Sequence, residues 1–576
     1  MKISTVFPFL ILRLVTSAYS ISIQYSVISL ISKNQNIGVI VDDHVYPLSN
    51  NNEATPLLHR GQAPISSTGY KYAIISSHQV LDIENFTRPC PSENIQTNDY
   101  YGRSWNSYHN LTRLPTLLPP LDIMDRIQSD LHIENEIPTI HLYGNQTRID
   151  YMHHHQDDKT VRVKLNMAYI SPKDIKIYKE ITLSVSGMST RNMDKLSYKL
   201  KLAKTQDLYG YRRIKLRSMA YDLSYMRENL GYGITESIGL PSSGHSYVRV
   251  YINDQAIGLF GLTEHIKGDW VKNVFGHGSK DYKHGTLYIA DINTGQRNTT
   301  QEKPPHAFLK NQTQLLNILN KAKHENATSS LSYLGSDLSA YGAGQYSVKV
   351  KPSDGNKANF ACIMDLTKFI QSQPNKPVSN SVVPLWTDKM DVDSFLRGLA
   401  LEIVISSSDG YFGMANNFIL FQDVQHNRMV FSEQDFDTTM GVGGYNISLT
   451  MGKDYTQFPG FQTRALMPRL MQVPRFKQQF EFYLGEFVKK LVNPHILGRR
   501  IDQLFQMLSE DVAWDRSLPR MGQNLSPIGA LILEIYNVSS MSELPLSLGV
   551  YGPTANNISM ALHDWLSLRS SNLWRF

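Results

Sequence analysis

The chain has 576 residues, 41% of them hydrophobic and 19% charged, which is ordinary globular composition and enough length for more than one domain. Its formal charge is +6, of which Lys2 and Arg13 contribute two, and no Lys/Arg cluster with interleaved aromatics occurs, so no nucleic-acid partner is expected. No later stretch reaches 18 uninterrupted apolar residues, so no transmembrane segment is expected either.

At the N-terminus, Lys2 supplies a positive start, Val6–Val15 an apolar run interrupted by Arg13, and Ala18-Tyr19-Ser20 a small-x-small cleavage pattern. Residues 1–20 therefore read as a signal peptide. Ten N-x-S/T acceptors follow, at Asn85, Asn110, Asn145, Asn298, Asn311, Asn326, Asn446, Asn524, Asn537 and Asn557, and together with the signal peptide they predict a secreted glycoprotein. The final stretch, HDWLSLRSSNLWRF, lacks the hydrophobic tail of a lipid-anchor signal. Cys90 and Cys362 either form one disulfide or stay free, and two such distant cysteines make no zinc site.

Residues 21–165 open with β-prone runs at Ile21–Ile31, Gly38–Tyr46, Tyr70–Ser76 and Val80–Ile83 between Asn, Ser, Gly and Pro turns, which predicts a small β-sandwich. Met152-His153-His154-His155 invites a metal reading, but adjacent residues alternate in direction, so a solvated loop is expected. Strands are expected at Val161–Ala168 and Ile181–Ser186, then a turn at Gly187–Arg191. In the next strand, Lys195–Lys201, alternation puts Lys195, Ser197, Lys199 and Lys201 on one face. A solvated strand and a lysine turned over a cleft to grip phosphate both fit that pattern. Ile214–Arg217 is a short strand, Tyr221–Ile238 an amphipathic helix opened by Asp222 or Ser224, and Tyr247–Ile252 a hairpin arm that returns through Asn253-Asp254 into Ala256–Leu262 and ends at Glu264.

Residues 285–385 carry three acceptor asparagines and Ser/Gly/Tyr- and Asn/Pro/Ser-rich stretches, and read as an insertion with long loops. Asp391–Ser406 is a buried-type helix leading to Asp409. A strand at Asn417–Gln422, a turn at Gln425–Arg428 and a strand at Met429–Phe431 would then bring Asp409 and Asn417 opposite Asp435 and Asp437. Carboxylate and amide oxygens so placed suit a hard divalent cation, with a further carboxylate left to orient a hydroxyl nucleophile. The same pattern is met by turn residues flanking a hairpin. Beyond it, Thr463–Asp515 has helical periodicity broken at Pro474, and Asn557–Arg569 closes the chain with one more helix.

The ordered set SGMSTR…KLSYKLKL, KLRS…D.SYMREN, VRVYINDQAIGLFGLTEHI and SDG…NNFILF…QDFDTTMG, over about residues 180–440, resembles the spore-coat protein H (CotH) kinase family, in particular its secreted fungal, Mucorales-type members. The resemblance implies an α+β protein with an atypical protein-kinase-like bilobal fold after the β-sandwich: an N-lobe over 166–268, a C-lobe over 269–460 with the insertion at about 285–385, and C-terminal helices over 461–576. It implies transfer of the ATP γ-phosphoryl to Ser or Thr of secreted or surface proteins, with Mg or Mn. Asp409 would be the catalytic aspartate, and Asn417, Asp435 and Asp437 the metal ligands. The phosphate-gripping lysine is expected at Lys201, with Lys195 second; Glu264 would begin the nucleotide-binding hinge, and Asp222 would cap the helix. Two departures stand out. Asn417 lies eight residues after Asp409 where such loops have five, which leaves Asn416 as an alternative ligand, and Gln434 stands where the family commonly has Trp. A surface adhesin that meets a host-cell receptor is the other function the resemblance implies.

Overall fold

The computed structural model describes residues 21–76, 79–91, 97–187, 191, 193–290, 329–343, 346–443, 445, 447–522, 533–534, 536–540, 543–554 and 559–572. The signal-peptide stretch 1–20 and the acceptors Asn298, Asn311, Asn326, Asn446, Asn524 and Asn557 lie outside them. The fold is mixed α+β with several sheets. Two compact units make it up, one of Met1–Asn106 with Pro172–Asp174 and the other of Ser107–Ser171 with Ile175–Phe576.

In the first unit, β1 (Ser22–Ile28), β4 (Leu58–Pro64) and β7 (Asp99–Tyr100) form one sheet, while β2 (Asn36–Val41), β3 (His44–Leu48), β5 (Tyr70–Ser76) and β6 (Gln79–Ile83) form a second. Val27, Ile37, Val39, Leu48, Ala63 and Tyr72 from both sheets share one apolar core. The run read as one strand over Gly38–Tyr46 is a hairpin, because Asp42 and Asp43 both take positive φ (48° and 63°) and turn the chain between Val41 and His44. Leu58–Pro64 was not legible as a strand, since Arg, Gly, Gln and Pro interrupt its alternation.

In the second unit seven strands close into a barrel: β8 (Thr139–Tyr143), β9 (Val163–Ile170), β10 (Ile175–Ser186), β11 (Ser197–Lys201), β12 (Arg213–Arg217), β13 (His245–Ile252) and β14 (Gln255–Glu264), in the order β10-β11-β12-β14-β13-β8-β9. The expected boundary at residue 165 is therefore corrected: β8 and β9 are barrel staves, and the first unit ends at Asn106. Tyr198, Leu200, Ile214, Leu216, Val248 and Phe260 fill the barrel. The histidine run belongs to the helix Gln146–His154 and its cap, not to a loop. His153 is buried against Tyr198 Oη at 2.9 Å, and burial pushes its imidazole down to about 4, whereas His154 and His155 are exposed, so the three do not converge.

A four-stranded sheet, β16-β15-β17-β18, is built from β15 (Leu287–Ala290), β16 (Tyr346–Val350), β17 (Phe418–Asp423) and β18 (Arg428–Glu433). β15 and β16 fall inside the range read as an insertion, yet they are integral to the sheet that carries the site. Behind it the helix Val392–Val404 is capped by Asp391, whose carboxylate accepts from Ser394 N at 2.9 Å; the helix Pro474–Lys490 packs on it, the helix Arg499–Ser517 packs on β14, and Phe480, Leu484, Leu504 and Trp565 are buried. Both cysteines are free thiols. Among the described residues no helix is long and apolar enough to cross a membrane.

Candidate functional site

The site forms at the open end of the β17–β18 hairpin. Phe418 pairs with Glu433, and one residue further Gln434 N donates to Asn417 O at 2.7 Å, so Asn417 and Asp435 stand side by side. Both take left-handed backbone (φ 53° and 64°), which Asn and Asp tolerate through their short polar side chains. Asp409 receives Asn417 Nδ2 on one carboxylate oxygen at 2.7 Å and Asn416 Nδ2 on the other at 3.0 Å. The structure thus brings both candidate asparagines to Asp409, with Asn417 lining the cleft.

The loop that carries Asp409 is anchored from below. Glu402, on the helix Val392–Val404, accepts from the backbone N–H of Tyr411 and of Phe412, and its carboxylate packs closely on Gly410, where a Cβ would sit 2.4 Å from Oε1. Arg464 donates to Phe412 O at 3.0 Å and Gly413 O at 2.8 Å. Glu433 lies beside Glu402, and burial followed by the Glu402 charge pushes its carboxyl well above the usual range.

Arg217, at the end of β12, is the hub of the charged cluster. Its guanidinium meets Glu228 of the helix Arg227–Ser237 at 2.9 Å, Asp435 at 2.5 Å and Asp437 at 3.1 Å. Burial opposes ionisation of Asp435, but Arg217 and then Lys215 outweigh it and hold that carboxyl below its ordinary value. Burial and the Asp435 charge push Asp437 well up. Two carboxylates in contact with only one guanidinium between them, beside the Asn417 amide, form an all-oxygen donor set of the kind Mg²⁺ or Mn²⁺ takes, and a divalent charge would relieve the repulsion that raises Asp437. Among the described residues no group of three or more His, Cys, Asp or Glu side chains forms a metal cluster, so Asn417 would be needed to complete a set of three.

The helix that carries Glu228 is fixed to the same loop. Asp222 accepts from Arg227 N at 2.8 Å and from Arg227 Nη1 at 2.5 Å, and the Arg227 guanidinium reaches on to Thr439 O, Met440 O and Met560 O. Phe436, between the two acids, packs edge-on against Tyr232 at 5.0 Å and presses on Gly231, where a Cβ would lie 2.4 Å from the ring.

The expected phosphate-gripping residues are not brought to this cluster. Lys201 is exposed at the far end of β11, opposite Thr182 and Arg213. Lys195 is buried in an ion pair with Asp515 at 2.8 Å and donates to Leu259 O. The cations that line the cleft are Lys215 and Arg217 of β12, with Lys349 of β16 across from them. Counted from β9, β11 is the third strand, whereas the strand beside Glu228 and Asp435 is β12. The alternation of Lys215 and Arg217 within KLR was the available signal. Glu264 lines both this cleft and a separate cavity of about 490 Å³, and its carboxylate is held by Arg126 at 2.5 Å and by Gly244 N.

Comparison with known proteins places this geometry. The sequence model of the family described as CotH kinase protein matches residues 183–518, more than half of the chain. The chain belongs to that family. The CotH match begins within β10, ends after the helix Arg499–Ser517, and encloses Lys215, Arg217, Glu228, Asp409, Asn417, Asp435 and Asp437. Three CotH relatives from Rhizopus delemar are similar over most of the chain. Spore coat protein homolog 1 is 23% identical over 88% of this chain and 75% of its own length. Invasin CotH2 is 24% identical over 74% and 66%, and Invasin CotH3 is 23% identical over 89% and 78%.

Proposed function

We propose that this CotH-family chain is an atypical protein kinase of the secreted or surface compartment, which transfers the γ-phosphoryl of ATP to a Ser or Thr hydroxyl of extracellular or surface proteins. The observation that carries the reading is the Arg217 bridge between Glu228 and Asp435. In protein kinases a strand cation paired with a helix glutamate and an aspartate at the metal must be in place together, because the chemistry rests on positioning and charge stabilisation. On this reading the barrel and the β15–β18 half are the two lobes of a kinase-like fold, and the first unit is a β-sandwich. Asp409 orients the acceptor hydroxyl and takes its proton, Asn417 holds Asp409 in place through its amide N–H, and Lys215 and Arg217 face the phosphates. Asn417, Asp435 and Asp437 would hold Mg²⁺ or Mn²⁺, which when bound neutralises charge on the β- and γ-phosphates. Incubation of the purified chain with radiolabelled ATP and Mn²⁺ should label the chain itself or casein; absence of label on both, from folded protein, sinks the kinase reading.

The second reading is a surface adhesin, favoured by relatives that are named invasins and by the widened spacing from Asp409 to Asn417. Either function implies export. The four described acceptor asparagines, Asn85, Asn110, Asn145 and Asn537, are all exposed, and Asn145 caps its helix through Oδ1 rather than the Nδ2 that a glycan takes. Material from a yeast host should lose mass on endoglycosidase treatment, and less so when these four are changed to Gln. An intracellular product with no mass shift would count against export.

A further inference from the structure

One row of barrel residues carries charge that packing does not require. Across β10, β11, β12 and β14, Ser184, Lys199, Lys215 and Thr263 lie opposite one another in register and so project from the same face. Directly opposite like charges destabilise a sheet. The inward face of the same strands carries Tyr198, Leu200, Ile214 and Leu216, so the core is complete without the lysines. Neither Lys199 nor Lys215 makes an ion pair or a hydrogen bond among the described residues. Lys349 of β16 and His265, after β14, line the same cleft as Lys215, and the charges of Lys349, Arg191 and Lys267 act on Lys199 beside it. The carboxylates within reach, Asp435 and Glu228, are already engaged by Arg217. Burial and then the Lys215 charge bring Lys199 down to about 7, and burial and then the Arg217 charge bring Lys215 to about 8 although Asp435 and Glu228 oppose the shift.

We propose that Lys199, Lys215, Lys267 and Lys349 form a clamp that binds the triphosphate chain of a nucleotide, or inorganic triphosphate, without any divalent cation. The inference rests on the kinase reading for the site and adds to it an order of events. Arg217 bridges Asp435 and Asp437 and offsets part of their charge, and the lysines beside them supply the attraction for an incoming polyphosphate. Phosphate binding and metal binding are thereby separable steps, the first belonging to the β11–β12–β16 lysines and the second to Asn417, Asp435 and Asp437.

Isothermal titration of the full chain with inorganic triphosphate, ATP and inorganic phosphate, in excess EDTA and in Mn²⁺, tests this. Triphosphate and ATP should bind in EDTA within roughly tenfold of their affinity in Mn²⁺, and inorganic phosphate at least about tenfold more weakly than triphosphate, as expected when several charge-assisted contacts act together. Lys199→Gln with Lys215→Gln should lower the EDTA affinity by about tenfold or more, the paired Lys→Arg changes should retain it, and Lys204→Gln, on an exposed turn, should leave it unchanged. Binding seen only with Mn²⁺, or wild-type affinity in the Gln double variant, overturns the clamp. If the double variant does not fold, the wild-type chain decides: EDTA binding that weakens steeply with salt supports the clamp, and salt-insensitive binding overturns it. EDTA binding without phosphoryl transfer would remove the kinase reading and leave the clamp, whereas transfer without EDTA binding would do the reverse.

Discussion

Asp409→Asn should lower phosphoryl transfer by roughly 10²-fold or more, the usual scale of general-base catalysis, while ATP affinity stays near wild type. The carboxylate is the acceptor of two side-chain amides, Asn416 Nδ2 and Asn417 Nδ2, and its loop is pinned separately by Glu402 and Arg464. Asparagine keeps the shape and one acceptor oxygen but loses the charge that attracts the hydroxyl proton. Because Lys215, Arg217 and Asp435 reach the cleft from other elements, nucleotide binding does not depend on Asp409. Turnover measured with labelled ATP, alongside calorimetry on the same two proteins, separates the roles. Equal turnover in both removes Asp409 from the chemistry, and loss of ATP binding as well would make it a structural residue. An adhesin gives a different pattern: no turnover in either protein and cell binding unchanged by the substitution.

How far the sequence carried this site depended on whether its parts were local. The hairpin from Asn417 to Phe431 was readable because an apolar run, a polar turn and a second apolar run place their ends together by geometry alone, and that was enough to align Asp409, Asn417 and Asp435. Arg217 and Glu228 were not found, because their partnership joins β12 to a helix and both to a loop more than 200 residues later, a closure that no periodicity reports. Lys201 is expected because the resemblance puts the phosphate-gripping lysine on a third strand, and the alternation of KLSYKLK does not tell its lysines apart. The barrel register sets Lys199 opposite Lys215, which lines the cleft, and Lys201 opposite Arg213. Domain limits failed for a related reason. β8 enters the barrel parallel to β13, more than 100 residues away, so a boundary inferred from composition could not separate it from the strands of the first unit.

Arg227→Met should cost about 3–5 kcal/mol of stability, the scale for breaking one side of a buried ion pair, because it leaves the Asp222 carboxylate buried without its cation. Arg227 is 1% exposed and Asp222 3%. Asp222 retains the N–H groups of Ser224 and of residue 227, so the loss falls on the charge rather than on every hydrogen bond. Three carbonyls, Thr439 O, Met440 O and Met560 O, lose their donor at the same time, and the first two belong to the segment that directly follows Asp437. The change should therefore weaken metal-dependent nucleotide binding even where the protein stays folded. Denaturant unfolding followed by tryptophan fluorescence reads the stability term, since Trp270, Trp386 and Trp565 are buried in this unit. Asp222→Asn with Arg227→Met should recover part of the loss, because the charge is removed from both sides. If Arg227→Met lowers stability by less than about 1 kcal/mol, a value typical of an exposed pair, the Asp222–Arg227 contact is not what ties the Glu228 helix to the acidic loop.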